Sequence, residues 1–525
     1  MKKTSFLMKK KVSFLWLLAS AFLIIGCAEG YESPKDFDLG VRNSQVETPI
    51  QDSISFKVSA DGKTATVSWP TVPGAGGHEV TFMNVDDPEN PFIVDDYENK
   101  IIDGSKFVVS VTEDSKYKMY MRSLGNKDYN NTDDTETHEF SFTTLVPSVA
   151  TIPSGSDIYE YFQEHPLDSN SVEVAVDLEP NGEYTISETV DFSHHHLTFR
   201  GDKIHRPVVR MVGNGHFETY STLKIKYINF DMTESTAGGF LAMTKNDLPD
   251  SIKTQNLGRY FRNGSVINNI YMVESPIYIA HCWFKNLPHA MLYDNGVSVA
   301  YWYFTLSDCI VQMNNVTKSS VGFINLYSAG RGVKNLKIEK STIYNIADNA
   351  SACFLRYNTS ASNTDPVKVF GNLTAEYNSH SWTFTHTTFA KCYYSDATHS
   401  GWRWVNNNYV GSTFNLSIDH TIFYNCAQLY RMNGGSKTFR FNFFWNDGTD
   451  DKNRNRSMKD SGGAPFASEY DPGFGGGDNA AQIAKELDFS LPNGGVDFTP
   501  SEYEIVVNRG GDTRWLPVVE GSEEE

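Results

Sequence analysis

The chain has 525 residues, 64 Asp and Glu against 45 Lys and Arg, and a formal net charge of −19. So acidic a chain is no general nucleic-acid binder, and any anionic ligand would need a local basic patch. Its length exceeds that of one ordinary domain.

The N-terminus reads as a targeting segment. Lys9, Lys10 and Lys11 precede the apolar run Phe14 to Ile25, which ends Leu23-Ile24-Ile25-Gly26-Cys27. That ending is a lipobox, with Cys27 as the lipidated first residue of the mature chain. The run is too short to span a bilayer, which takes about 20 residues. Removing residues 1–26 takes away five lysines and no acid, which moves the net charge from −19 to −24. Met8 begins a second complete n-region and is an alternative start. Residues 27–40 are a polar tether.

Residues 41–145 are expected to form a small β-sandwich. Thr64-Ala-Thr-Val-Ser-Trp69, His78-Glu-Val-Thr-Phe-Met-Asn84, Tyr117-Lys-Met-Tyr-Met-Arg-Ser123 and His138-Glu-Phe-Ser-Phe-Thr143 alternate as strands, and Gly74-Ala-Gly-Gly77 reads as a turn. This pattern resembles a fibronectin type III domain. Residues 146–156 read as a Pro/Gly/Ser linker. Asp157 then N-caps a short amphipathic helix reaching Glu164, suited to closing one end of a strand stack. Leu178 to Ile186 is a turn leading into a strand, and it resembles the entry rung of pectin-lyase-like β-helices.

A block then recurs down the second half. It reads Leu336-x-Ile338-x-x-Ser341-Thr342-Ile343-Tyr344-Asn345-Ile346, Trp382-x-Phe384-x-x-Thr387-Thr388-Phe389-Ala390-Lys391-Cys392 and Leu416-x-Ile418-x-x-Thr421-Ile422-Phe423-Tyr424-Asn425-Cys426. Ile277 to Leu287 has the same shape, and Phe304 to Asn314 follows it more loosely. Recurrence of short β-rich segments at uneven intervals means stacked rungs with variable turns. The fold class expected over residues 157–518 is therefore all-β, a right-handed parallel β-helix, with Ile343, Phe389 and Phe423 in one inward column. Cys282, Cys309, Cys392 and Cys426 occupy inward or corner positions of the block. With Cys353 they read as buried small hydrophobes rather than a disulfide set. After Asn446 the pattern fades, leaving Asp471-Pro-Gly-Phe474 and Gly511-Asp-Thr-Arg-Trp515 as firm points before an acidic tail at residues 519–525.

Taken together, the lipobox, the fibronectin-like domain, the β-helix and the Gly511-Asp-Thr-Arg-Trp515 ending resemble a group of Bacteroidetes lipoproteins whose β-helix halves are domains of unknown function. Genes of that group often lie beside SusC/SusD-type glycan uptake systems, including those for pectin. The resemblance implies a lipid-anchored outer-membrane protein, a polysaccharide ligand and an uptake complex as possible partner. Its motifs define architecture rather than chemistry.

No catalytic residue or cofactor is expected from sequence motifs. Asn363-Thr364-Asp365 matches one element of polygalacturonase-type hydrolases, but it sits in a turn before Pro366 and lacks the companion motifs. Inverting hydrolysis needs two carboxyls. Asp447-Gly-Thr-Asp-Asp451 fits no calcium loop and is crowded by Lys452, Arg454 and Arg456. His194-His195-His196, taken as strand residues, would point to opposite faces and so cannot converge on a metal.

A binding strip is the alternative. Ala352-Cys-Phe-Leu-Arg356-Tyr357-Asn358 aligns without a gap with Ala427-Gln-Leu-Tyr-Arg431-Met432-Asn433, and Gly401-Trp402-Arg403-Trp404 carries Arg in a similar place. Stacked, Arg356, Arg403 and Arg431 form a column flanked by Trp402, Trp404 and Tyr357. Such a column would accept carboxylates of an acidic glycan by bidentate hydrogen bonds. The competing reading pairs each Arg with a neighbouring acid. Tyr301-Trp302-Tyr303-Phe304 reads as core and turn packing. The expected function is capture of an acidic, pectin-like polysaccharide. A lyase or hydrolase with an unfamiliar site, and an adhesive surface protein, stay open beside it.

Overall fold

The computed structural model describes residues 41–258, 261–262, 265–266, 269–314, 321–329, 331–347, 354–357, 380–392, 404, 414–426, 436–446 and 466–518. The chain divides into two units, residues 1–145 and 146–525.

Period-two alternation builds the first unit. Strand Lys116–Gly125 buries Tyr117, Met119, Met121 and Ser123 and turns the residues between them outward. It pairs antiparallel with Ala75–Asn84 and His138–Thr143 in one sheet, while Ser55–Val58, Thr64–Ser68 and Lys106–Ser110 form the other. Both sheets contribute to one core, in which Val67, Val80, Phe82 and Met119 are fully buried. The four strands expected from alternation are all present. The segment read as a turn, Gly74 to Gly77, instead starts the strand Ala75–Asn84. Its pairing slips between Ala75 and Gly77, and Gly77 sits at φ 143°. A glycine-rich stretch marks a bulge as readily as a turn.

The second unit is a right-handed parallel β-helix. Its strands stack into two ten-stranded sheets and a six-stranded one, paired in parallel throughout. Phe230, Phe284, Val311, Ile343, Phe389, Phe423 and Phe444 are register partners on successive rungs, and every one is fully buried. The expected column of Ile343, Phe389 and Phe423 is therefore present, with the Phe389 and Phe423 rings stacked 5.3 Å apart.

Between the first and second sheets the chain turns on one residue in the left-handed region. His281, Asp308, Lys340, His386 and His420 take this place, with φ between 45° and 54°. That conformation costs about 1 kcal/mol for a residue with a Cβ. Each of the five N–H groups donates to a carbonyl of the next rung at 2.9–3.1 Å, which offsets the cost. The next position is enclosed; Cys282, Cys309, Ser341, Thr387 and Thr421 fill it, all fully buried. The four cysteines in described positions are free, and burial pushes the Cys282 thiol up to about 12.

The segment read as a linker is a correction. Ser148–Ile152 is the first strand of the first sheet, paired in parallel with Val174–Leu178. Pro147 and Pro153 flank this strand without interrupting it, which is why composition suggested a linker. The helix Ile158–Glu164 forms as expected, with the Asp157 carboxylate accepting from the N–H groups of Tyr159 and Glu160. Ile158, Tyr159, Tyr161 and Phe162 lie against the β-helix core.

The C-terminal region covers the outer face of the second sheet. Ile310, Tyr344, Ile422 and Phe443 on that face bury against Phe474, Ile483, Phe498, Ile505 and Trp515. The firm point Gly511-Asp-Thr-Arg-Trp515 is its fastening. The Asp512 carboxylate accepts from Thr342 Oγ1 at 2.8 Å, and Trp515 Nε1 donates to the same oxygen of Thr342 at 2.7 Å.

Candidate functional site

The six-stranded sheet presents one outward column. Asp191, Glu218, Ala242, Tyr293, Asn325 and Arg356 are register partners from rung to rung. Alternation explains their common direction: Val190, Phe217, Leu241, Leu292, Ile324 and Leu355, one residue earlier, are buried in the core. At a rung spacing of about 4.8 Å the column runs about 24 Å from Asp191 to Arg356.

Asp191, Glu218 and Tyr293 line a cleft of about 690 Å³, together with Glu188, His216 and Lys245. Glu218 is buried, and three donors converge on its carboxylate. These are Asn295 Nδ2 at 2.7 Å, His216 Nε2 at 3.1 Å and the Lys245 N–H at 3.2 Å. His216 Nδ1 faces the Asn214 carbonyl at 2.7 Å. Asp191 is exposed at the mouth of the cleft. Its Oδ1 accepts from Thr244 Oγ1 at 2.7 Å and from the Ser193 N–H at 2.8 Å. Partial dehydration by the surrounding protein, with the nearby charge of Glu218, raises the Asp191 pKa above its ordinary value. Burial likewise raises Tyr293.

Tyr293 is positioned by two glycines. A Cβ on Gly239 would meet its ring at 2.7 Å and one on Gly238 at 3.1 Å, so only residues without side chains let the ring lie there.

The sequence-derived strip is only partly within view. Arg356 is half-buried at the far end of the column, with its guanidinium 3.6 Å over the Tyr327 ring, and it makes no ion pair with a described residue. Tyr357 continues the strand Leu355–Tyr357; its side chain lies outside the described residues, as do Trp402, Arg403, Arg431 and Cys27. Asp365, Cys353 and the 447–451 acids fall outside them too.

Trp404 is a correction. It is fully buried and stacks on Phe354 at 4.3 Å, so it belongs to the core rather than to a surface strip. The Leu355 N–H donates to the Trp404 carbonyl at 2.9 Å, which places Trp404 beside Phe354, not beside Arg356. For the His194–His196 run only the strand premise is corrected: it lies in a turn, the His194 and His195 rings stack 4.3 Å apart, and the ring nitrogens face Ser169, the Phe192 and Leu167 carbonyls, and Thr222. Among the described residues no group of three or more His, Cys, Asp or Glu is placed to hold a metal ion.

The first sheet shows what ordinary outward charges do here. Arg200 pairs with Asp177 at 2.7 Å, Lys224 with Glu173 at 2.7 Å and Arg440 with Asp419 at 2.8 Å. The Tyr301–Phe304 cluster is mainly core: Tyr301 and Phe304 are fully buried, and Tyr303 is 40% exposed.

Residues 1–195 match the model of a domain of unknown function, DUF4992, and residues 182–346 match that of another, DUF4957. The second of these regions contains Asp191, Glu218, Tyr293 and Asn325. No curated protein matches the chain. Among solved structures it is similar to a pectate lyase from Erwinia chrysanthemi in complex with tetragalacturonic acid, at 8% identity over 59% of this chain and 86% of that one, with a TM-score of 0.13. The fold assignment rests on the strand pairing, not on that likeness.

Proposed function

We propose that this protein captures a polysaccharide along the outward column from Asp191 to Arg356. The observation that carries the reading is the column itself. Acceptors, an aromatic ring and a cation are spaced at rung intervals over about 24 Å, a length suited to several sugar units rather than to a small molecule. Arg356 favours a polymer bearing carboxylates, because a guanidinium with no ion-pair partner among the described residues offers bidentate hydrogen bonds.

The lipobox ending in Cys27 supports attachment to the outer membrane through lipid, with the fibronectin-like unit as spacer. The wider resemblance supports a place at the cell surface beside a SusC/SusD-type importer. No helix among the described residues is long and apolar enough to cross a membrane.

The test is titration of the purified protein with plant cell-wall polymers. Arg356→Ala should weaken binding of a uronate-bearing polymer about tenfold, the equivalent of 1.4 kcal/mol. The wild-type affinity should also fall as salt is raised. Absence of binding to any polymer would refute the reading.

A further inference from the structure

Resting on the polysaccharide reading, we infer that the cleft between Glu218 and Tyr293 is a subsite for uncharged sugar units. The ligand is then a polymer containing neutral sugars and not a uniform polyuronate. Glu188, Asp191 and Glu218 line this cleft against Lys245 and His216, so the local charge is negative. A uronate carboxylate placed here would meet like charge at short range, in surroundings drier than bulk water.

Sugar hydroxyls meet the opposite situation. Among the described residues both hydrogen bonds to Asp191 fall on Oδ1, and Oδ2 has no donor. Asp191 is exposed and lines the cleft, so that oxygen is free to accept from a hydroxyl donor. The Tyr293 ring, seated against Gly238 and Gly239, supplies the apolar surface on which a sugar face packs.

Along the column Tyr293 lies two rungs from Arg356 and Glu218 four. One polymer can therefore present an acidic unit at one end of the column and neutral units at the other.

The experiment compares polygalacturonate, neutral arabinan and galactan, and an alternating rhamnogalacturonan by calorimetry, with wild type, Asp191→Asn and Tyr293→Ala. Folding of each variant is checked by circular dichroism and melting. At least one polymer with neutral units should bind about tenfold more tightly than polygalacturonate. Tyr293→Ala should lose about tenfold on that polymer. Asp191→Asn should weaken it while leaving polygalacturonate unchanged or improved, since a like charge has gone. Polygalacturonate bound as tightly as the others, or folded variants with wild-type affinity, would overturn the inference and leave the polysaccharide reading standing. Failure of every polymer to bind would overturn both.

Discussion

Arg514 forms an ion pair with Asp308, a residue 206 positions earlier at a left-handed corner of the β-helix. The same guanidinium reaches Asp512 at 3.2 Å. Asp308 in turn accepts from His281 Nδ1 at 2.7 Å. One cation thus ties the turn Thr513–Trp515 to the corner at Asp308 and, through that carboxylate, to His281, and the second sheet's apolar outer face is closed beneath it.

Removing that cation should be costly. Arg514→Ala leaves fully enclosed Asp512 without its counter-ion, and losing one partner of a buried pair costs about 3–5 kcal/mol. Urea unfolding should show a midpoint shift of that size. Limited proteolysis should release the region after residue 466 first. A variant as stable as wild type would show that Trp515 and the apolar contacts alone hold the segment.

The inward ladder makes a second prediction. Phe389 lies between Ile343 and Phe423 in register and packs on Trp404 at 4.9 Å. Phe389→Ala opens a cavity in a continuous core and should cost about 3–5 kcal/mol. Phe389→Leu should cost clearly less. Equal losses from the two would mean that the ring geometry, not the volume, matters.

His78 gives a pH dependence in the first unit. It is buried against Trp69 and Ser123, and burial lowers its pKa below the ordinary 6.5. The unfolded chain then takes up a proton that the folded one refuses. The contribution is intact above about pH 6.5 and is lost as the pH falls from there through the folded pKa. Hydrogen exchange in the strand Lys116–Gly125 should quicken between about pH 7.5 and 5 after correction for intrinsic rates. His78→Asn should flatten the profile. A wild-type profile already flat would contradict the assignment.

Localisation is tested through Cys27. Cys27→Ala should move the protein from the membrane pellet to the soluble fraction, because several acyl chains on one residue make an effectively permanent anchor. Retention in the pellet would reveal another attachment.

Much of the scaffold was legible because inward positions repeat. The spacing from Ser341 to Ile343, from Thr387 to Phe389 and from Thr421 to Phe423 is the same, so three rungs announce themselves. Apart from the strand Leu355–Tyr357, the third sheet was not legible. Its strands Thr189–Asp191 and His216–Thr219 are three and four residues long, and they precede the rungs where the block is clear. Only the paired patterns Thr-Val-Asp and His-Phe-Glu, polar-apolar-acidic in both, signal that Asp191 and Glu218 share a face. The arginine alignment erred at Trp404 because alternation gives a period but no phase. Matching Arg403 to Arg356 ignored the aromatic match of Trp404 to Phe354, which packing enforces. Apolar outward residues such as Ile422 and Phe443 also held a readable message, that the second sheet is covered.

The most direct test of the central claim is a hydrogen-exchange footprint of the full chain with and without a saturating oligosaccharide from the best-bound polymer. Binding along the column should slow exchange in His216–Thr219, Gly239–Met243, Ala290–Tyr293 and Ile324–Leu326, and leave the outer face of the first sheet unchanged. Protection confined to the first sheet or to the sandwich unit would contradict it.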